Sequence, residues 1–391
     1  MIINKGNENL NLIIAKLIIL FPLTSSIGRL MPFSLNKIMV LLLLATIILR
    51  QIKFGKIHKK SILAIIYMIF FTLNGLILTT EISLNIENCM YWVTTILILI
   101  YIQYYKNRIF LKKSYARLQG WIRFSTFATI IINCFGLLNS VNYETTGAYI
   151  GYMVTSHSMA STMILAIANL LLYKKSIFHV IALALEMMIL FLSEARTFMV
   201  PLAVILYFEL RKWVSSEKKR KIIIFLAIIM LIIVFPYTNI AKKFIETLEN
   251  PYARNKLSGI TNFRSTLWEA DIAQFMAENM YYKMFGNGFS YSYHLHNKLF
   301  GVKIWSHNDF FNLLLATGFL GMSGYIYILI DLLQKLHSCH KNKFYTFLFF
   351  VMIFITAFFN GFYLYISVVL AFVSISISKD ITMEIKNGSE L

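Results

Sequence analysis

Trp305-Ser306-His307-Asn308-Asp309-Phe310 decides how this chain is read. It closes the only long non-membrane stretch, residues 241–305, and runs directly into a hydrophobic span at about 309–333. Outside that stretch, apolar runs alternate with short polar connections, and most approach the roughly 20 residues that cross a bilayer as helix. Before it the runs lie at about 10–30, 36–49, 61–79, 90–105, 118–138, 156–173, 176–192, 198–210 and 222–240. After it come about 309–333, 344–359 and a last run ending near residue 378. The expected fold class is an all-α polytopic integral membrane protein with about 12 transmembrane helices. It forms a single membrane domain over 1–391, with one large outer loop, 241–305, between spans nine and ten.

Composition agrees with this reading. Of 391 residues, 58% are hydrophobic and 14% charged, where a soluble domain is nearer half and a quarter. The net charge of +19 sits largely in short connections such as 50–60 and 211–221. That placement fits a cytoplasmic topology signal and not nucleic-acid binding. Basic connections alternate with acidic or neutral ones. Putting the basic ones inside places both termini in the cytoplasm and gathers 139–155, 193–197, 241–305 and 360–361 at the outer face. Cys89, Cys134 and Cys339 have no metal or redox spacing. The first run holds Lys16 and Pro22 and lacks a small-residue cleavage site, so it reads as a first helix and not a removed signal peptide.

The polar residues that can carry chemistry gather at that outer face. Arg196 lies in the tight turn Ser193-Glu194-Ala195-Arg196-Thr197. Two readings fit it: a snorkelling or capping arginine paired with Glu194, or an anion clamp whose planar fork matches phosphate oxygens. From Phe263 to about Asn279, Trp268, Ile272, Phe275 and Met276 fall on one side at helical spacing. This predicts an amphipathic helix over the outer surface with Asn262 as N-cap. Arg264 sits in its first turn, where the macrodipole disfavours a cation and the free N–H groups favour an anion; an exposed surface arginine is the plainer reading. Gly286-Asn287-Gly288 reads as a turn. Tyr293-His294-Leu295-His296, if extended, sets both imidazoles on one side, and His307 would make three ligands. No cysteine or carboxylate accompanies them at ligand spacing, so no metal is assigned. His307 stands where the loop re-enters the membrane. There it is either an interfacial residue or a group that titrates near neutrality and hydrogen-bonds a hydroxyl. Asn308 and Asp309 either cap span ten or bind substrate, and Arg254 in the loop is a further candidate binding residue. His157 opens span six at the same face as a cleft-lining candidate. Glu186 is the most isolated acid in mid-membrane, either functional or simply protonated or paired.

Taken in order, Ala195-Arg196-Thr197, Phe263-Arg264-Ser265-Thr266-Leu267-Trp268, Phe285-Gly286-Asn287-Gly288-Phe289, Ser306-His307-Asn308-Asp309-Phe310 and Gly318-Phe319-Leu320-Gly321 resemble the bacterial O-antigen ligase and O-antigen polymerase family, which includes capsule and exopolysaccharide polymerases. The resemblance covers mainly 190–325. Glu194 is an extra acid beside its arginine turn, and Gly147-Ala148-Tyr149-Ile150-Gly151-Tyr152 departs from the family's asparagine-rich loop. It implies a GT-C-like membrane glycosyltransferase in the bacterial cytoplasmic membrane, with its active site facing outward. Its partners would be a glycan linked to a polyprenyl diphosphate such as undecaprenyl diphosphate, membrane lipid, and a flippase and chain-length regulator of the same pathway. No cofactor is implied. Arg196 and Arg264 would stabilise the diphosphate leaving group, and His307 would orient or deprotonate the acceptor hydroxyl. Polymerisation of repeat units is the main reading. Ligation of finished polymer to another acceptor is the alternative within the family, and a lipid-linked oligosaccharide transporter is the alternative from another class. A transporter calls for midplane polar sites and often internal repeats, and no repeat is visible.

Overall fold

The structure is a computed structural model describing residues 5–32, 34–53, 59–78, 81–105, 112–144, 147–237, 241, 245, 261, 263–339 and 343–386. Its regular elements are helical among these residues, with one isolated antiparallel bridge between Tyr143 and Tyr149. Among the described residues, nine α-helices precede the outer loop: α1 (Lys5–Ser26), α2 (Leu35–Lys53), α3 (Lys59–Leu78), α4 (Ile82–Tyr105), α5 (Lys112–Gly136), α6 (Ser156–Leu170), α7 (Ile177–Leu192), α8 (Met199–Trp213) and α9 (Glu217–Val234). The loop contributes α10 (Arg264–Ala277), α11 (Met280–Phe285) and α12 (Tyr291–Phe300). Then follow α13 (Asp309–Cys339), α14 (Lys343–Phe359) and α15 (Ile366–Lys386).

Among the described residues, five stretches are long and apolar enough to cross a bilayer: Asn9–Ser26, Leu35–Ile52, Lys59–Leu78, Ile82–Gln103 and Asp309–Ser338. Ile177–Leu192, Lys343–Phe359 and Ile366–Ser378 are apolar but shorter. The exposed surface has the chemistry of a lipid-facing one. Ile77, Ile177, Met230 and many other large apolar side chains are open, at a density that a water-facing surface does not tolerate. The core lies around α6, nearly all of whose residues are buried, packed by α1, α7 and α15. Polar groups inside it are tied to one another. Asn11 Oδ1 accepts from Arg50 Nε at 3.1 Å and from the Tyr101 hydroxyl at 2.6 Å. Ser374 donates to Asn169 Oδ1 at 2.8 Å. In a lipid-surrounded bundle such groups find no water, so they must find one another. Glu186 is fully buried, with neither carboxyl oxygen hydrogen-bonded among the described residues.

Backbone bonds draw the connections at one end of the bundle together. Arg29 N donates to Tyr152 O and Tyr149 N to Leu192 O, each at 2.9 Å. Phe289 N donates to Asn85 Oδ1 at 2.6 Å, and Asn74 Nδ2 donates to Phe285 O at 3.3 Å. The outer-loop helices are thereby clamped to the facing ends of α3 and α4.

Several local expectations are corrected. Residues 82–88, which fall between the expected runs at 61–79 and 90–105, are the first turns of α4 and not part of a connection. Residues 291–300 are helical and not extended, so His294 and His296 part company. On α10, Trp268 and Phe275 are buried as expected, but Ile272 and Met276 are 45% and 66% exposed. The buried face is completed instead by Asp271, which pairs with His296 Nε2 at 2.9 Å. Asn262 lies outside the described residues, and Phe263 takes the N-cap position with φ 64°.

A break in α13 fixes the loop's position. Gly318 adopts φ 63°, ψ −166° inside the helix, which takes the carbonyls just before it out of their i+4 bonds. Asn287 N donates to Leu315 O at 2.8 Å and Gly288 N to Ala316 O at 3.0 Å. The Gly286-Asn287-Gly288 turn thus satisfies carbonyls that would be costly to leave unpaired in an apolar setting. The approach is close on both sides. A Cβ on Gly318 would lie 2.4 Å from Met284 C, and one on Gly286 would lie 2.3 Å from Ala316 C. Gly318→Ala is therefore expected to destabilise the protein by at least about 2 kcal/mol, combining left-handed strain with a backbone clash. Gly120→Ala, exposed on α5 with no atom within 4 Å of its Cβ, is expected to be neutral or stabilising by up to about 1 kcal/mol. Thermal unfolding in detergent checks the pair, and equal midpoints would contradict the account.

Candidate active site

Five chain segments contribute side chains to one site at the gathered end. His157 comes from the first turn of α6, whose N-cap Thr155 accepts from Ser158 N. Arg196 begins a 3-10 turn, Arg196–Phe198, that leads into α8. Arg264 is the first residue of α10. His307 lies between α12 and α13, and Asn360 and Tyr365 lie between α14 and α15.

The contacts are direct. The Arg264 guanidinium donates to Phe359 O, to Asn360 Oδ1 at 3.4 Å and to His157 Nε2 at 3.4 Å. The last bond requires that nitrogen to be unprotonated. The His157 ring centroid is 6.4 Å from that of His307 and 6.4 Å from that of Tyr365. Trp305 covers His307 with centroids 4.9 Å apart, and Phe198, two residues past Arg196, packs edge-on to Tyr365 at 5.4 Å. Of the three residues expected to carry the chemistry, Arg264 and His307 both stand against His157, and Arg196 lies within electrostatic reach of Arg264. Arg254 lies outside the described residues.

Backbone conformation marks the same place. Among the described residues, the non-glycine residues with positive φ are Glu194, Phe263 and His307. One is two residues before Arg196, one immediately precedes Arg264, and the third is His307 itself. Such conformations cost energy for a side-chain-bearing residue and persist only where the surroundings impose them.

Asn308 and Asp309 are fully buried and act on the chain itself. Asn308 Oδ1 accepts from Phe310 N at 2.9 Å and Phe311 N at 3.2 Å, capping α13. Asp309 Oδ2 accepts from the Tyr325 hydroxyl at 2.8 Å, Phe362 N at 2.9 Å and Tyr363 N at 3.2 Å. The geometry gives both residues a positioning role: they fix where His307 and the 360–365 turn stand. Asn360 and Tyr365 escaped the sequence reading. Their only signal was a polar turn, Asn360-Gly361, between two apolar runs.

His294 and His296 take no part. His296 is buried between Asp271 and Ile304 O, and His294 sits 3.5 Å from Glu81. Among the described residues no group of three or more His, Cys, Asp or Glu is arranged to hold a metal ion.

Two features suit the site to an anion and a hydroxyl. Arg264's hydrogen-bond partners among the described residues are all neutral. Burial pushes its guanidinium down to about 10, with Tyr365 opposing that shift and Arg196 adding to it. Burial lowers Arg196 as well. Two desolvated guanidiniums within mutual electrostatic reach favour a polyanion between or beside them. His307 is held well below the ordinary imidazole range, first by burial, then by Arg264 and His157, with the Asn360 side chain opposing. Its Nδ1 is buried with no hydrogen-bond partner among the described residues, as are Thr197 Oγ1, Ser306 Oγ and Asn360 Nδ2 around it. Buried polar atoms are normally paired, so a cluster of exceptions points to a place where a ligand bonds.

Because the folded His307 stays neutral, only the unfolded chain takes up its proton as pH falls through about 6.5. Its contribution to stability is therefore constant above that pH and is lost progressively below it. Wild type is expected to lose more thermal stability than His307→Gln between pH 7 and pH 5. Parallel pH profiles would contradict the neutral-imidazole assignment.

Residues 179–326 match the family model described as O-antigen ligase. No curated protein and no solved structure matches the chain. The matched segment contains Arg196, Arg264, His307, Asn308 and Asp309, so the resemblance carried by these motifs is borne out over residues 179–326.

Proposed function

We propose that this protein transfers a glycan from a polyprenyl diphosphate to a sugar hydroxyl, and that it polymerises oligosaccharide repeat units in this way. The observation that carries the reading is that Arg264 stands within electrostatic reach of both Arg196 and His307, inside the segment that matches the O-antigen ligase family model.

In this reaction the acceptor oxygen forms a bond to the donor's anomeric carbon. The bond from that carbon to the phosphate oxygen breaks, and the electron pair leaves with the polyprenyl diphosphate. Arg264 and Arg196 oppose the negative charge that grows on the leaving oxygen. Their desolvation makes each donated hydrogen bond stronger than it would be in water. His307, neutral and with an unpartnered Nδ1, accepts the proton released by the attacking hydroxyl. Asn360 and His157 hold the arginine fork in place from its far side.

The expected topology places this end of the bundle outside the bacterial cytoplasmic membrane, with about twelve crossings and both termini inside. A flippase of the same pathway would deliver the donor there, and a chain-length regulator would set product size. A GT-C-like arrangement, with chemistry at the ends of a membrane bundle, belongs to the same proposal. The description of the matched family also favours a second reading, in which the glycan goes to a different acceptor and the protein is a ligase.

The test uses cells deleted for the gene and complemented with wild type, Arg196→Ala, Arg264→Ala or His307→Ala at matched membrane levels. Each variant is expected to lose roughly 100- to 1000-fold in turnover, leaving glycan at one repeat unit on the lipid carrier. Normal chains in all three would exclude the site. Long chains held on the carrier would assign the ligase reaction instead.

A further inference from the structure

An open recess of about 640 Å³ lies at the same end of the bundle, between the first turns of α4 and the outer loop. Its walls include Glu81, Ile82, Ser83, Glu87, Tyr293 and Lys303. The volume falls within the roughly 300–1,000 Å³ of small-molecule sites. Its chemistry differs from that of the arginine site, for it offers carboxylate oxygens, hydroxyls, an ammonium group and a broad aromatic ring.

The carboxylates are oriented by neighbouring cations. Lys303 Nζ donates to Glu81 Oε2 at 2.6 Å, and His294 Nε2 lies 3.5 Å from Glu81 Oε1. The Lys303 bond holds the Glu81 carboxyl below its usual range. Lys37 Nζ lies 2.7 Å from Glu87 Oε2. Each acid therefore has a cation of its own, so the cavity has little excess negative charge with which to hold a metal or a cationic ligand. The oxygens that remain are fixed acceptors. Together with the Ser83 and Tyr293 hydroxyls and the tyrosine ring, they complement a pyranose, which presents hydroxyl donors around its edge and C–H groups on its face.

Tyr293 also links this cavity to the reaction centre. It forms part of the cavity wall, its hydroxyl meets the Asn88 side chain, and it lies within electrostatic reach of Tyr365, which in turn interacts with Arg264. Asn88 is itself buried, at 4% exposure. The bond from Phe289 N to Asn85 holds the loop against α4 beside it.

We infer that this cavity is a glycan-binding subsite that seats the acceptor's sugars while its hydroxyl reaches the arginine site. The inference rests on the glycosyl-transfer reading above. It names uncharged, hydroxyl-rich oligosaccharide as the ligand and Glu81, Glu87 and Tyr293 as the residues that select it.

The probe is the free oligosaccharide released by mild acid from the lipid-linked glycan of cells lacking this protein. Its binding to purified full-length protein in nanodiscs is measured by saturation-transfer NMR and calorimetry, alongside kinetics with the lipid-linked donor. Glu87→Gln and Tyr293→Phe, both nearly isosteric, are each expected to raise Kd and acceptor KM about tenfold, the cost of one charge-assisted or buried hydrogen bond. Donor KM is expected to stay within about twofold. Arg264→Ala is expected to abolish turnover while free-oligosaccharide Kd stays at the wild-type value. Unchanged oligosaccharide binding in both cavity variants would overturn the subsite. Loss of oligosaccharide binding in Arg264→Ala alone would move the acceptor to the arginine site and overturn it too. A wild-type protein that binds the oligosaccharide but never turns over the lipid-linked donor would leave the subsite standing and remove the transferase reading.

Discussion

The Asp309 carboxylate holds two connections of the chain against each other. At the first residue of α13 it accepts from the amides of Phe362 and Tyr363 and from the Tyr325 hydroxyl. One end of this tie fixes the residue two places after His307. The other fixes the turn that carries Asn360 and Tyr365. Without it, the α14–α15 turn would lose amide partners that the surrounding apolar helices cannot replace. Arg264 would in turn lose the Phe359 carbonyl and Asn360 amide that steady its fork. The site depends on this arrangement because it draws on five separate segments, and a guanidinium misplaced by an ångström loses much of its effect on a developing charge.

The break at Gly318 supplies the second fixed point. A continuous α13 would keep its carbonyls to itself and leave the outer loop to float. By interrupting the helix, Gly318 turns the Leu315 and Ala316 carbonyls outward as acceptors for the loop. The loop is then anchored at both sides, to α13 through Asn287 and Gly288 and to α3 and α4 through Asn74 and Asn85. Arg264 and Tyr293 ride on helices of that loop. The arginine site and the carboxylate-lined recess are thus held at a set separation by hydrogen bonds between the loop and the helices beside it.

The helices were legible because apolar runs broken by charged connections have one solution in lipid. Arg196, Arg264 and His307 stood out because a cation or imidazole at the edge of such runs needs a reason. What pairs with what was not legible. Asp271 and His296 form a buried pair between two loop helices, so the acid displaced an expected apolar position, and the histidine was read as part of an extended pair. Asp309 looked like a ligand because an acid at a membrane re-entry point is expensive. Its three donors come from a turn more than fifty residues later in the chain and from the next turns of its own helix. Asn360 and Tyr365 were marked only by the polar Asn360-Gly361 turn, since their role is defined by contact with Arg264 and His157, and sequence spacing does not encode contact across a bundle.

The central claim is that Arg196 and Arg264 together hold a diphosphate. Its most direct test is the binding of undecaprenyl diphosphate, without any sugar, to wild type, Arg196→Lys and Arg264→Lys in nanodiscs. Lysine keeps the charge and loses the planar fork. The account predicts saturable binding by wild type and about tenfold weaker binding by each lysine variant. Equal affinity in all three proteins would contradict it, and would place the diphosphate elsewhere on the membrane face.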